Sequence, residues 1–380
     1  MEKIKLTDDL LMFLTTGFAP YKDHPELKLG KYNIDDYYNA LYKYVCSFSG
    51  NIAITLSGGK DSRLLAELCN KAGHTTTTIT FGYDRNGIEN RIAEKVSKTL
   101  GMKHIFLAIK PEMYIAANFQ EMIQLIKFQN PWEIPDIIYH LHKPILSCYD
   151  AVLDGYALTL SAREQRFYRP KNTLSLMFSL IHFDEIITPK YRENVRSRLI
   201  ARFKDMTKDE FNFFITFDMF AEKYNAIKKY LFNLCIPFFD SGEIRNIEFS
   251  IPEKDIVQNI FRKYNLCTAK IQMTSSPFPL WFPWYIHYGY SYFHIFMSNM
   301  SGLKSKIIVN QGVWLEHRDK YADAIRKLCN DINLKTLLKE GVFDKQVFME
   351  KMNNVNCRED YALVMERLVN YYFWKVKNNV

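Results

Sequence analysis

The chain has no C-x-x-C pair, no uninterrupted apolar run long enough to span a bilayer, and no solenoid-length repeat or low-complexity tract. Each absence removes a class of protein. Its seven cysteines (Cys46, Cys69, Cys148, Cys235, Cys267, Cys329, Cys357) are scattered and odd in number, so nothing suggests a zinc site or dithiol centre, and they read as mostly buried small hydrophobes. The most apolar stretch, 278–297, is broken by Pro279, Pro283, His287, Gly289 and His294, which argues against a membrane span. The N-terminus, MEKIKLTDDLLMF, carries acids before and inside its short apolar run and has no small-residue cleavage site. The expectation is a cytoplasmic protein with reduced thiols.

What is present is ordinary in amount and uneven in placement. The 380 residues are 48% hydrophobic and 24% charged, a globular composition long enough for two lobes. Fifty Lys and Arg against 42 Asp and Glu leave a net charge of +8, short of the basicity of a dedicated nucleic-acid binder. Between Leu160 and Lys204 ten basic residues face four acids, so most of the excess lies there, either as a solvated helical face or as a contact for an anionic substrate or RNA.

Residues 51 to about 156 alternate strand-type and helix-type runs: NIAITL (51–56) before a helix over 62–72, TTTTITF (75–81) before 88–100, KHIFLAI (103–109) before 114–128, then AVLDGY (151–156). That alternation predicts βαβ units and a parallel sheet with flanking helices. After Arg163 strand-type runs largely stop. The expected organisation is a lead-in over 1–50 with a helix at 37–47, an α/β domain over 51–162 and a mostly helical lobe over 163–380. The aromatics between Phe278 and Tyr292 are expected in that lobe's core, or as the wall of an apolar pocket.

At the end of the first strand-type run stands Ser57-Gly58-Gly59-Lys60-Asp61-Ser62, followed at once by a helical run. Consecutive glycines and a helix N-terminus can direct backbone N–H groups into one concave site that suits phosphate. Ser57 and Ser62 add hydroxyls, Lys60 a cation, and Asp61 a carboxylate for Mg²⁺. The spacing is neither G-x-x-x-x-G-K-[ST] nor G-x-G-x-x-G. It resembles the PP-loop, the S-G-G-x-D-S signature of the ATP pyrophosphatase superfamily, which splits ATP between the α and β phosphates.

Further stretches resemble the synthetase domain of asparagine synthetase and its β-lactam synthetase-like relatives. They are Thr80-Phe81-Gly82 with the run Glu89 to Val96 and Leu100 to His104, Pro131-Trp132-Glu133-Ile134-Pro135-Asp136, and Ile236-Pro237-Phe238-Phe239-Asp240. The resemblance implies an adenine-nucleotide α-hydrolase-like fold, with adenine against Leu56 and Phe81, phosphates over 57–62, and Mg²⁺ on Asp61 and Asp136. It further implies Lys60, Glu133 and Tyr156 in the chemistry and Gly155 beside the nucleotide. The pair Gly155-Tyr156 is similar to the loop of β-lactam synthetases, while the second metal-binding Asp of asparagine synthetases is missing from the stretch 153–159. Lys270 is an uncertain counterpart of the family's C-terminal lysine. With Glu2 in place of a nucleophilic Cys and about fifty residues before the first strand, the resemblance implies a synthetase without its own glutaminase.

The implied activity is an AMP- and pyrophosphate-forming ligase that uses ATP and Mg²⁺ to adenylate a carboxylate, or an amide oxygen, on a small molecule or peptide. The acyl-adenylate then meets an amine, or ammonia from a separate supplying subunit. Two alternatives stay open: thiolation of a nucleobase or RNA, with Cys148 as the nearest sulfur carrier, and a non-catalytic nucleotide-binding paralogue. Asp240 is read mainly as a capping residue, and His140 and His142, two apart on a helix, as packing or surface.

Overall fold

A computed structural model describes residues 28–82, 84–109, 139, 142–156, 158, 187–207, 210, 221, 224–225, 227–228, 231–251, 255–301 and 344–353. The first helix, α1 (Ile34–Cys46), begins where Asn33 closes a capping box: its side chain accepts from the amides of Asp35 and Asp36, and Asp36 accepts from the Asn33 amide at 2.8 Å. Tyr37, Tyr38, Ala40, Leu41 and Val45, at helical spacing, make its buried face.

Strand β1 (Ile52–Thr55) leads through the glycine loop into α2 (Asp61–Lys71), then β2 (Thr76–Gly82), α3 (Ile88–Thr99) and β3 (Lys103–Ala108). A short helix α4 (Lys143–Leu146) precedes β4 (Ala151–Asp154), and α5 (Pro189–Phe203) precedes β5 (Leu234–Cys235). The five strands are parallel in the order β3-β2-β1-β4-β5. β1 is central and buried on both faces. Its alternation splits the core: Ile52 and Ile54 pack with α1, α2 and the later helices, whereas Ala53 packs on the opposite face with Ile79, Val152, Leu234 and Phe238.

The expected strands and helices within 51–109 are present to within a residue or two at their ends. The helix expected over 114–128 lies outside the described residues. The fifth strand, Leu234–Cys235, comes from the stretch read as a helical lobe, so the sheet extends beyond residue 162. Two residues are too short for a periodic signal, and its register is supplied by β4.

Beyond the sheet come α6 (Pro237–Asp240), α7 (Gly242–Ser250), α8 (Ile256–Lys263) and a 3₁₀ turn, Cys267–Lys270. A hairpin of β6 (Gln272–Met273) and β7 (Ser276–Pro279) follows, then α9 (Trp284–Ser301) and α10 (Lys345–Asn353). α7 and α8 pack on α1, and α8 also meets α2, which brings the C-terminal segment against the glycine loop. The aromatics expected in the core are not buried there: Trp281, Tyr285 and Tyr292 are at least half exposed and Phe278, Phe282, Trp284, Tyr288 and Tyr290 are half-buried, while Leu280 and His287 are buried beside them. The α9 sequence is aromatic all round, so one helix face cannot bury every ring. Among the described residues no helix is long and apolar enough to cross a membrane.

Candidate nucleotide site

The chain runs outward from β1 through β2 to β3, then returns to place β4 on β1's other side. The strand order therefore reverses between β1 and β4, and in such sheets ligands bind outside the carboxyl ends at that point. Ser57–Ser62 leaves β1 there, and Asp154-Gly155-Tyr156 leaves β4 beside it.

Two glycines set the spacing. A β-carbon on Gly155 would lie 2.5 Å from the Ser62 nitrogen and 2.8 Å from its Cα, so only glycine lets the β4 loop touch the start of α2. One on Gly58 would lie 2.2 Å from Thr274 Cγ2, in the β6–β7 turn. The positive-φ glycines among the described residues are Gly50, Gly73 and Gly101. Gly58 thus serves the close approach of Thr274, and neither Gly58 nor Gly59 takes a positive φ.

Ser57 and Ser62 brace the loop. The Ser57 amide donates to Ser62 Oγ at 3.1 Å, the two hydroxyls lie 3.1 Å apart, and the Gly59 amide donates to Ser57 Oγ at 3.2 Å. Leu56 is buried with its backbone committed, its amide donating to Ile79 O at 2.8 Å and its carbonyl accepting the Thr80 hydroxyl at 2.6 Å. Phe81, partly exposed at the end of β2, stacks on His142 at 5.4 Å. That contact and 9% exposure make His142 a packing residue, as its sequence context suggested; His140 lies outside the described residues.

The Asp154 carboxylate accepts the Tyr139 hydroxyl and, at 2.7 Å, the Tyr156 amide, leaving the Tyr156 ring 44% exposed at the site's edge. Asp61 opens α2, its backbone against Gly155. Glu133 and Asp136 lie outside the described residues. Among the described residues no three metal-type side chains cluster, but Mg²⁺ needs only one or two carboxylates besides phosphate oxygens, and Asp61 fits that demand.

Three contacts the sequence did not announce join the loop to the C-terminal segment. Lys60, only 8% exposed, forms a salt bridge with Asp255, 5% exposed, immediately before α8. The Thr274 amide donates to Gly58 O at 3.2 Å. Arg63, fully buried, donates to Gly58 O at 3.2 Å, Ile271 O and Gln272 O at 2.9 Å each, and Thr268 O at 3.4 Å. One turn on, Glu67 accepts from the amide and hydroxyl of Thr268, both at 2.6 Å. Burial pulls the Arg63 guanidinium down to about 10 and Glu67 opposes the shift, so Arg63 stays charged at neutral pH. In the sequence Arg63 and Glu67 look like an ordinary i,i+4 surface pair.

Asp240 is an anchor. It accepts from Tyr44 and Tyr224 hydroxyls at 2.8 and 2.5 Å, from Lys228 at 2.7 Å and from the Ile236 amide at 3.0 Å, a structural role but not the helix cap read from the sequence, since Ser241 caps α7. Lys270 is exposed and lines a cavity of about 650 Å³ with Arg262 and Trp281, and no residue of 57–62 lines that cavity. Cys148 is exposed, its thiol 3.2 Å from Pro144 O.

Three partly buried histidines share one response to acid. Burial holds His104, His142 and His287 below the ordinary 6.5, and the Lys60 ammonium lowers His287 further. A depressed folded value means the unfolded chain takes up protons first, so stability is complete above about pH 6.5 and falls below it. Melting temperatures recorded from pH 8 to pH 5 should decline in that lower window, and His142→Phe should remove part of the decline; a wild-type profile identical to the variant's refutes it.

The structure thus joins a five-stranded parallel sheet to the Ser57–Ser62 loop at its switch point, the strand-loop-helix setting in which the loop resembles the PP-loop. Residues 45–202, less than half of the chain, match the asparagine synthase family model. No curated protein sequence matches significantly. Among solved structures, a predicted subunit of tRNA methyltransferase from Methanocaldococcus jannaschii is 27% identical, covering 39% of this chain and 75% of its own at a TM-score of 0.20. The U34-tRNA thiolase NcsA from Methanococcus maripaludis, solved with its 4Fe-4S cluster, is 15% identical, covering 52% and 77% at a TM-score of 0.24.

Proposed function

We propose that the chain is an AMP-forming ATP pyrophosphatase that adenylates a carboxylate, or an amide oxygen, for attack by an amine or ammonia. The observation that carries this reading is the S-G-G-K-D-S loop at the switch point, with Gly155 packed on its backbone and Lys60 in its midst. Polyphosphate lies over residues 57–62, where the start of α2 adds positive potential and Lys60 a full charge. Asp61, together with Asp136 as the resemblance implies, would hold Mg²⁺, which would supply charge neutralisation on the phosphate oxygens. Adenine sits beyond β2 near Phe81, with Leu56 contributing buried surface. Tyr156 stands at the edge of the site, and the resemblance assigns Glu133 the orienting of the nucleophile. The domain's work is positioning and electrostatic stabilisation of the leaving pyrophosphate.

The acid is a small molecule or a peptide, and ammonia, where used, comes from a separate subunit; RNA is the less favoured acceptor. The decisive experiment is calorimetry with MgATP on the wild type and Asp61→Asn, followed by product analysis with candidate acids. Binding weakened about tenfold or more in the variant, and AMP with pyrophosphate as products, are expected; one charge-assisted contact is worth that much. ADP as the product, or equal binding by both proteins, overturns the reading.

A further inference from the structure

Of the three contacts between the C-terminal segment and the glycine loop, two end on backbone carbonyl oxygens, which a polyphosphate has no use for. The third takes the loop's side-chain cation, the group a polyphosphate most needs. We propose that Asp255 is a positioning residue that latches Lys60: the ammonium passes from its carboxylate to an incoming polyphosphate, so phosphate binding and opening of the Lys60–Asp255 ion pair are one coupled event. The inference rests on the loop's binding polyphosphate, as proposed above.

Burying two charges costs desolvation that a surface pair avoids, so packing alone does not account for an ion pair with both partners over nine-tenths buried. Asp255 also sits at φ 64 and ψ 52, a left-handed conformation, at the N-terminal edge of α8. Backbone held there persists where surrounding contacts require it, and such positions gather at switching and binding sites. Asp255 precedes a helix whose buried residues Ile256, Val257 and Ile260 pack into the same core as α1 and α2. That packing holds α8 whether or not the carboxylate is paired, so the carboxylate waits in place while the Lys60 ammonium changes partner. Because a ligand shifts a conformational equilibrium only through differential contacts, the single ammonium shared by carboxylate and phosphate supplies the coupling.

The test is a double-mutant cycle on the full chain, titrating Mg²⁺ and inorganic pyrophosphate by calorimetry. Asp255→Asn keeps the shape, and asparagine tolerates the left-handed backbone; Asp255→Gly removes the conformational demand altogether and serves if the first variant melts early. Either is expected to tighten pyrophosphate about tenfold with Lys60 present, and to change nothing in a Lys60→Met background. Unchanged or weaker binding with Lys60 present overturns the latch, as does an equal gain in both backgrounds, which marks Asp255 as a diffuse negative charge. If wild-type protein binds pyrophosphate while the cycle is flat, the latch alone falls. If the wild type and every variant fail to bind, the cradle itself is refuted and the latch with it.

Discussion

Arg63→Met is expected to cost about 3 kcal/mol of stability and to lower the melting temperature by roughly 4 °C, the largest effect of any single side chain here. The guanidinium is fully buried in α2 and reaches four carbonyl oxygens, at Gly58, Thr268, Ile271 and Gln272. Methionine fills much of the volume and answers none of them. It also leaves Glu67, 5% exposed, without the nearby positive charge. Arg63→Lys should recover little, because a single ammonium on a shorter side chain cannot span the carbonyls of Gly58 and of residues 268–272 as a planar fork does. Melting both variants beside the wild type checks this, and a lysine variant of wild-type stability refutes the argument from geometry.

Gly155→Ala is expected to weaken MgATP binding about ten- to hundredfold, the range set by an overpacking penalty of about 1–3 kcal/mol. The added methyl would meet backbone, the Ser62 nitrogen at 2.5 Å and Cα at 2.8 Å, and backbone at the start of a helix cannot rotate aside. Either α2 or the β4 loop must move, and both border the phosphate site. The same substitution at Gly73, where nothing lies within 4 Å, tests the backbone conformation alone: its φ of 75 degrees makes it a cost to stability with no effect on nucleotide binding. Calorimetry and melting curves on both variants separate the two effects.

These variants also mark how far the residues could be read in order. Ser57 to Ser62 was legible because its chemistry is local: an apolar run, a glycine pair and a helical run are adjacent in the chain, so loop and flanking elements follow from neighbours alone. The strands of 51–109 were legible for the same reason. Gly155 stood out only through resemblance, and its physical role, admitting the start of α2, needed the packing of β4 beside β1. Nothing near Asp255 in sequence, between a proline-containing loop and a short amphipathic helix, distinguishes it from a solvated acid. Lys270, by contrast, stood in a suggestive position and opens onto a cavity that the glycine loop does not line.

By itself, then, the sequence determined a βαβ-type nucleotide domain and the six-residue loop that identifies it, since hydrophobic period and turn chemistry act over a few residues. Tertiary structure alone decided that Leu234–Cys235 completes the sheet, that Arg63 is a buried fork, and that the C-terminal segment holds Lys60 through Asp255. The reason is physical. A two-residue strand takes its pairing from its neighbour, and a buried charge takes its meaning from partners some two hundred residues away.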